Sequence, residues 1–425
     1  MPEVRFLQIH TLTTYPAALL NRDDAGLAKR LPFGGTTRAR ISSQCQKRHW
    51  RTASDQWALR TISGLSDRDF GIRSRRIFSD RIASTLKSEG FDVSKVVEVV
   101  SALRERLFPA KDDGTTTQGG GNGGSGRGRA RQQPEDPLLS LQFDQAFLMG
   151  RAEIEYLTDL CRQVLSGDEE RRQALFEKPK KKSSLTSFQK DLRSDLTDNL
   201  QELVKGTTLP QSLEAALFGR MVTSDLVANP DAAIHVAHAF TVHEIERELD
   251  FMTAVDDLKS KEEGDDAGAA GMFDMELASG LYYGYSVVDV PLLVDNLAED
   301  RAIAGKVVEH LIHLIAQVSP GAKKGSTAPY AWAELVLVEA GTRQPRTLAN
   351  AFRTAIRLRG NSGPLLETVV EKMEDHLSKL DGGYGEHEAR RVLNLSNAKL
   401  ASAAPLALDE LAKWSGQAVC AGVAE

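Results

Sequence analysis

The alternation of apolar and polar residues predicts four β-strands with two long helices between them. The strand segments, rich in β-branched and aromatic residues, are residues 4–13, 234–243, 281–290 and 332–338. Apolar residues at helical spacing predict helices over residues 42–58 and 299–318. The resulting order is β-α-β-β-α-β with two long insertions. We therefore expect an α+β fold with the split βαβ pattern of a ferredoxin-like domain, which RNA-recognition motifs share.

The two insertions differ in character. Residues 61–230 have a mostly helical pattern, which predicts a large helical insertion. Residues 244–280 begin with an apolar patch and pass through an acidic, glycine-bearing tip, which predicts a protruding β-hairpin. After the last strand, amphipathic patterns over residues 348–356 and 366–377 predict two further helices that cover the far face of the sheet.

A glycine-, serine- and arginine-rich stretch lies inside the first insertion. Residues 111–137 contain the run TTTQGGGNGGSGRGRARQQPEDP. Such a composition cannot bury a hydrophobic core, so we predict a disordered loop. Its arginines, Arg127, Arg129 and Arg131, could contact phosphates. A solubilising linker is the interpretation that the composition favours.

The chain is acidic overall, with a formal net charge of −6, but its first 51 residues are basic. They hold nine Lys/Arg and three Asp/Glu, a surplus of 9 − 3 = +6, which leaves −6 − 6 = −12 for the remainder. This distribution does not fit a protein that binds polyanions over its whole surface. It indicates a local cationic site on an acidic body.

The helix predicted at residues 42–58 separates charged from aromatic residues. At about 100° per residue, one face carries Gln44, Lys47, Arg48 and Arg51. The opposite face carries Trp50, Ala53 and Trp57. The aromatic side can pack on the sheet while the other side binds phosphate, helped by the partial positive charge of the helix N-terminus. A solvated amphipathic face accounts for the same charge pattern equally well.

Two other segments offer polar groups for an anion. Residues 320–325 combine glycines, which bring backbone amides close to a phosphate, with the paired cations Lys323 and Lys324. The loop lacks the spacing of a nucleotide-hydrolysing P-loop and follows a helix, so hydrolysis is not expected. Just before the second strand, Arg220 and the flexible apolar Met221 follow a glycine.

The candidate metal ligands do not form a convincing site. Asp23 and Asp24 could hold a divalent cation for phosphodiester chemistry, but adjacent carboxylates near a turn usually cap the backbone. In a strand, period-2 alternation separates His238 from the other two histidines of residues 234–243. His310 and His313 are expected on the solvated side of their helix. We therefore predict neither a metal nor a cofactor.

Composition excludes other classes of protein. Apolar residues make up 41% of the chain, and no apolar run approaches the ~20 residues that span a bilayer. The N-terminus lacks the pattern of a signal peptide, so a cytoplasmic location is expected. Cys45, Cys161 and Cys420 are far apart and outside any CxxC pattern, which indicates reduced thiols.

Ordered motifs between Leu20 and Lys324 resemble the CasC family, the RNA-binding backbone subunit of the type I-E CRISPR Cascade complex. The matching segments are LNRDD, FGG-TT-RARISSQCQKR, GRMVTS, AHAFTVHE, FMTAVDD, SGLYYGY and PGAKK. The resemblance implies a hand-like subunit with an RRM-like palm, helical fingers and a hairpin thumb. The palm would comprise residues 1–60, 231–243 and 281–425, the fingers residues 61–230, and the thumb residues 244–280.

The resemblance also implies the function. Copies would assemble along the guide RNA (crRNA), each thumb kinking the RNA at the next copy, and with other Cascade subunits they would present the guide for pairing with target DNA. The implied RNA-backbone contacts are Arg22, Gln44, Lys47 and Arg51. Arg220 and Met221 would lie against the kinked nucleotide, and Phe251 and Met252 would form the thumb's wedge. We add Arg40, Lys323 and Lys324 to this predicted RNA-binding set.

Two alternatives remain open at the level of sequence. The first is a metal-dependent ribonuclease that uses Asp23 and Asp24, or Asp256 and Asp257. The second is a protein-interaction module whose basic helix binds an acidic partner. We favour a non-catalytic RNA scaffold because the sequence places no helper base or third carboxylate beside the aspartates.

Overall fold

The computed structural model describes residues 4–108, 136–167, 211–220, 231–255, 269–358, 363–385 and 388–421. The chain divides into two compact units. The sheet unit consists of residues 1–63, 233–295 and 299–425, and the helical unit of residues 64–232 and 296–298. Most of the glycine- and arginine-rich stretch, residues 111–135, lies outside the described residues.

The fold is mixed α+β. Its strands are β1 (Phe6–Ala18), β2 (Arg30–Phe33), β3 (Thr36–Ile41), β4 (Gly71–Ser74), β5 (Phe147–Gly150), β6 (Ile234–Val236), β7 (Ala239–Thr241), β8 (Glu246–Val255), β9 (Ala269–Asp289), β10 (Leu335–Gly341), β11 (Ala389–Asn394) and β12 (Ala404–Pro405). Its α-helices are α1 (Ser43–Arg51), α2 (Ser84–Ser88), α3 (Val93–Leu107), α4 (Arg151–Leu165), α5 (Leu213–Phe218), α6 (Val290–Asn296), α7 (Arg301–Gln317), α8 (Lys324–Thr327), α9 (Leu365–Tyr384) and α10 (Leu408–Ala421).

A large central sheet forms the sheet unit. Its strand order is β12-β11-β10-β1-β9-β7-β3-β2, and β6 and β8 also pair with β9. β1 lies antiparallel between β10 and β9, so that Ile9 faces Val338 on one side and Ser286 on the other. The β1 side chains from Phe6 to Leu12 are all buried, because helices cover both faces of the sheet around this strand.

Alternate residues of β1 point to different layers. Thr11 lies on the face covered by α1 and α7, where it lines a small cavity of about 40 Å³ together with Trp50 and Ile315. Leu12 lies on the other face, in a core that includes Val370 and other apolar residues of α9. The sheet unit is therefore a three-layer structure, and its basic helix α1 belongs to one outer layer.

Helices α7 and α10 of the outer layer pack closely because glycines lie where the two helices cross. A Cβ atom placed on Gly416 of α10 would lie 2.8 Å from the carbonyl oxygen of Gly305 in α7. The two helix backbones are therefore close enough that only glycine fits at this crossing.

The helical unit has its own core. β4 and β5 pair antiparallel, with Gly71 opposite Gly150. Apolar residues of α2, α3, α4 and the π-helical turn Ile77–Ala83 pack together beside this pair. An aromatic cluster formed by the buried Phe78 and three half-buried rings packs there, with ring centroids 4.9–6.3 Å apart: Phe78, Phe108, Phe143 and Phe147.

Several sequence-based boundaries differ from the structure. The strand predicted at residues 234–243 is two strands, because Ala237 and His238 leave the sheet between β6 and β7. The helix predicted at residues 42–58 ends at Arg51, where the Thr52 hydroxyl donates a hydrogen bond to the Arg48 carbonyl at 2.9 Å. The pattern of apolar residues reports neither the strand break nor the hydrogen bond at Thr52.

The helix predicted over residues 348–356 is wrong. Only Ala349–Phe352 forms a single 3₁₀ turn there, and Ile356 forms an isolated bridge with His243. Leu348, Phe352 and Ile356 are nevertheless all buried in the α9-side core. The apolar spacing therefore predicted correctly that these residues are buried. It did not determine the backbone conformation, because three apolar residues fit a helix and a folded loop equally well. The second helix, predicted at residues 366–377, is confirmed as α9.

Among the described residues, none of the helices combines the length and apolarity needed to cross a membrane.

Candidate nucleic-acid interface

Helix α1 is fixed at its N-terminus by side chains from two segments. The Ser42 hydroxyl accepts a hydrogen bond from the Cys45 amide at 3.3 Å, and the Asn21 side-chain oxygen accepts one from the Ser42 amide at 2.9 Å. His238 Nδ1 accepts a further bond from the Ser43 amide at 3.0 Å. These bonds satisfy amides that a helix start would otherwise leave without partners.

The side chains of α1 differ in burial, as the sequence predicts for a helix with one apolar and one charged face. Trp50 is buried against the sheet, whereas Gln44 and Arg48 are exposed. Lys47 and Arg51 are half-buried, and burial lowers the pKa of the Lys47 ammonium. The first turn of α1 carries no acidic residue, so nothing in that turn opposes an incoming anion.

The loop between β1 and β2 lies against the start of α1. The Lys29 amide donates to the Asn21 carbonyl at 2.8 Å, and the Arg40 amide donates to the Lys29 carbonyl at the same distance. Arg22 is exposed on this loop, next to Asn21 in the chain. The Arg40 guanidinium donates from Nε to the Arg30 carbonyl at 3.0 Å.

A third segment brings two lysines to the same region. The Ala322 amide donates to the Leu19 carbonyl at 2.9 Å, which holds the loop before α8 beside the end of β1. Lys323 and Lys324 are exposed there. Burial lowers the pKa of His49 in α1, and the charge of Lys324 lowers it further. Lys324 therefore lies within electrostatic range of α1.

Cations of these segments also act on the pKa values of His238 and Cys45. Burial lowers the pKa of His238, and the charges of Arg40 and Lys29 add to this effect. Burial raises the pKa of the Cys45 thiol, and the charges of Arg48 and Lys29 oppose it. We call this region the basic surface and define it by eight residues: Arg22, Lys29, Arg40, Lys47, Arg48, Arg51, Lys323 and Lys324.

Two basic residues of the N-terminal segment have structural roles instead. Arg38 is wholly buried, and its guanidinium donates to the carbonyls of Thr241 at 2.9 Å and Phe352 at 3.0 Å. Arg30 donates to both carboxylate oxygens of Glu276. The sequence reasoning missed Lys29, although its place in the basic segment was a signal for it.

The other predicted site residues belong to the helical unit and to the hairpin. The Arg220 side chain is buried in the helical unit and donates to both oxygens of the Glu153 carboxylate at 2.9 and 2.8 Å. Met221 lies outside the described residues. Phe251 and Met252 belong to β8, opposite Asp274 and Phe273 of β9, and their side chains also lie outside the described part of the chain.

The histidines differ from the sequence-based expectation. His238 lies in the break between β6 and β7, where it is exposed and accepts a hydrogen bond from the Ser43 amide of α1. The alternation predicted for His238 therefore does not hold. His313 is buried rather than solvated, because its ring stacks on Trp57 with centroids 3.5 Å apart. Trp57 itself lies beyond the end of α1. The described residues contain no group of three or more His, Cys, Asp or Glu side chains that could hold a metal ion.

Of the paired aspartates in the β1–β2 loop, Asp23 accepts hydrogen bonds from the backbone of its own loop. One oxygen of the Asp23 carboxylate accepts hydrogen bonds from the amides of Ala25 at 3.0 Å and Leu27 at 2.9 Å. Asp24 is exposed. Asp256 and Asp257, the other candidate pair, lie outside the described residues. The geometry of Asp23 is that of a local turn.

Comparison with known proteins places the chain in a family. Among solved structures, one component of a "CRISPR RNA-guided surveillance complex, pre-nicking" is 24% identical, with a TM-score of 0.73, over 98% of this chain and 100% of that one. A component of another "CRISPR RNA-guided surveillance complex" is 20% identical, with a TM-score of 0.64, over 96% and 99%. These likenesses show a shared fold.

The search of curated protein sequences found no match. The Cas family model described as "CT1975-like protein" matches residues 7–414, which is almost the whole chain. The chain therefore belongs to the CT1975-like family of Cas proteins.

Proposed function

We propose that this protein is a non-catalytic, guide-RNA-binding backbone subunit of a CRISPR surveillance complex of the type I-E Cascade kind. The observation that carries the proposal is the basic surface, where cations from three segments meet around α1 on a chain with a net charge of −6. A polyanion that follows this surface would contact positive charge along its length, while the acidic remainder would repel it.

The solved relatives support an RNA ligand. Both belong to complexes whose descriptions name RNA-guided surveillance, and both align with this chain over nearly their full length. Single-stranded RNA presents a phosphate at every nucleotide and can follow a curved row of cations. The described cations of the basic surface are suited to hold the RNA backbone, and they leave sequence reading to base pairing between guide and target.

The order of the strands supports a ferredoxin-like palm. Without the inserted elements, the chain runs β1-α1-β6-β9-α7-β10, and the paired order is β10-β1-β9-β6. RNA-recognition motifs with this plan stack bases on the open face of the sheet. Here that face is covered by α9 and by Leu348 and Phe352. An RNA would therefore bind along α1 and the adjoining loops rather than on the sheet.

The hairpin of β8 and β9 supports assembly of several copies along the RNA. β8 pairs with β9 from Glu246 opposite Ser279 to Val255 opposite Ala269, which makes a long two-stranded arm. Residues 244–279 carry twelve acidic and three basic side chains, so the arm is better suited to contact protein than phosphate. An arm of this kind could reach a neighbouring copy and separate successive RNA segments for pairing with target DNA.

A ribonuclease that uses Asp23 and Asp24 is the competing function, and its test is direct. The purified protein is incubated with end-labelled single-stranded RNA and Mg²⁺, and the RNA is examined on a denaturing gel. We expect bound and intact RNA, since the Asp23 carboxylate already caps its own loop. Mg²⁺-dependent cleavage that is lost in the D23N/D24N variant would contradict the scaffold and establish the ribonuclease.

A further inference from the structure

Two aromatic rings stand out in solvent between α8 and β10. Tyr330 is 73% exposed and Trp332 is 69% exposed, although large aromatic side chains usually bury most of their surface. Their neighbours in the chain, Pro329 and Ala333, are buried. Both rings therefore project into solvent while the residues that flank the pair are buried.

The backbone that carries these rings is held in place. The Ser319 hydroxyl accepts a hydrogen bond from the Ala331 amide at 2.9 Å and donates one to the Ala331 carbonyl at 2.7 Å. The Ala333 amide donates to the Ala316 carbonyl at 2.7 Å. Exposure of the rings is therefore a property of a fixed segment and does not result from a loose loop.

The surroundings of the rings are cationic. The ammonium nitrogen of Lys324 lies 5.8 Å from the centroid of the Tyr330 ring, within the range of a cation–π contact. Lys323 is exposed beside it, and Lys324 acts electrostatically on His49 of α1. The ring pair thus borders the basic surface.

We propose that Tyr330 and Trp332 form a stacking site for unpaired nucleobases of the RNA whose phosphates lie on the basic surface. This inference rests on the proposed function and extends it, because it assigns base contacts to a segment outside α1. Exposed aromatic rings beside cations are the usual means of binding single strands without sequence preference. A protein-docking patch, by contrast, has a core depleted in charge, whereas Lys324 contacts Tyr330 directly.

The test compares a ligand with bases to one without. Affinities of the full-length protein for oligouridylate and for inorganic polyphosphate of similar charge are measured by fluorescence anisotropy competition. We expect the Y330A/W332A variant to bind the RNA on the order of 100-fold more weakly, about tenfold for each ring. Its affinity for polyphosphate and the salt dependence of RNA binding should stay at wild-type values, because no cation is removed.

Two further variants make the result specific. Y330F/W332F keeps both rings and should retain RNA affinity within about threefold, since stacking needs only the aromatic face. Y384A removes a tyrosine that is 75% exposed elsewhere on the sheet unit and should have no effect. A fall in polyphosphate affinity equal to the fall in RNA affinity would overturn base stacking.

Other outcomes separate this inference from the proposed function. Unchanged RNA affinity in Y330A/W332A would refute the stacking site and leave the proposed function standing. Unchanged RNA affinity with weaker self-association in sedimentation would instead assign the rings to a protein interface. A wild-type protein that binds no RNA would refute both the proposed function and the stacking site.

Discussion

Reversing the charge of Lys47 and Arg51 in a K47E/R51E variant is expected to lower the affinity of the protein for single-stranded RNA on the order of 100-fold, about tenfold for each lost phosphate contact. Both residues are half-buried on α1, next to the exposed face that carries Gln44 and Arg48. The salt dependence should fall as well. Each phosphate contact with a single strand contributes about 0.7 to the slope of log affinity against log salt, so the slope should decrease by about 1.4.

The matched control reverses two exposed lysines of α9. K372E/K379E changes the net charge by the same amount, from −6 to −6 − 4 = −10, but on the layer that covers the opposite face of the sheet. We expect this control to bind RNA within a fewfold of wild type at physiological salt, where the Debye length is about 8 Å. An acidic residue near the C-terminus of α1 interacts unfavourably with the helix dipole and lowers the stability of the helix. We therefore add K47A/R51A, which removes both cations without introducing acidic residues.

Equal losses in K47E/R51E and K372E/K379E would show that net charge alone governs binding. Wild-type affinity in both K47E/R51E and K47A/R51A would remove α1 from the RNA site. Fluorescence anisotropy over a series of salt concentrations measures the affinity and the slope together, and thermal melting checks that each variant is folded.

Replacing Glu339 with Gln is expected to lower the free energy of unfolding by about 3–5 kcal/mol, the cost of breaking a buried ion pair on one side. Glu339 lies in β10 and is wholly buried. Its carboxylate accepts bonds from Arg390 at 2.6 Å, Arg346 at 3.0 Å and His10 at 3.3 Å. The amide of Gln keeps the shape but removes the charge that balances the two arginines.

The control for this variant is D375N. Asp375 pairs with Lys379 at 2.6 Å on the exposed side of α9, and such surface pairs contribute about 0–1 kcal/mol. Urea unfolding at pH 7 measures both variants. A loss in E339Q no larger than the loss in D375N would contradict the account of the buried network.

The effect of E339Q should also depend on pH. Burial raises the pKa of Glu339, but hydrogen bonds from His10 and Arg346 and their charges outweigh it and hold the pKa well below its usual range. A carboxylate with a depressed pKa contributes stability that is complete above the ordinary value of 4.5 and is lost as the pH falls. The difference between wild type and E339Q should therefore be full at pH 7 and shrink below pH 4.5.

The regular parts of the fold could be predicted from the sequence because they depend on local periodicity. β1, α7 and α9 were all indicated by the pattern of apolar residues, and the α9 residues Val369, Val370, Met373 and Leu377 are buried as their spacing indicated. Where tertiary hydrogen bonds decide, the pattern failed. The break at His238 serves the capping of α1, and the expected helix after Leu348 is mostly irregular.

The candidate site was only partly accessible to sequence reasoning. Helical phasing separated the exposed Gln44 and Arg48 from the buried Trp50, but the count of basic residues included Arg38, which is wholly buried. Its partners, Thr241 and Phe352, lie 203 and 314 positions away in the chain. No local pattern reports such contacts. The outward direction of Tyr330 and Trp332 was hidden for a similar reason, since it depends on hydrogen bonds to Ser319 and Ala316.

If the protein is a guide-RNA-binding backbone subunit, it will retain a guide RNA when it is purified from cells that express the guide. Nucleic acid is extracted from the washed protein after nuclease treatment and sized on a denaturing gel. We expect a protected RNA of uniform length, present in wild type and strongly reduced in K47E/R51E. Protein that carries no RNA, or RNA equally abundant in the K47E/R51E variant, would contradict the proposed function.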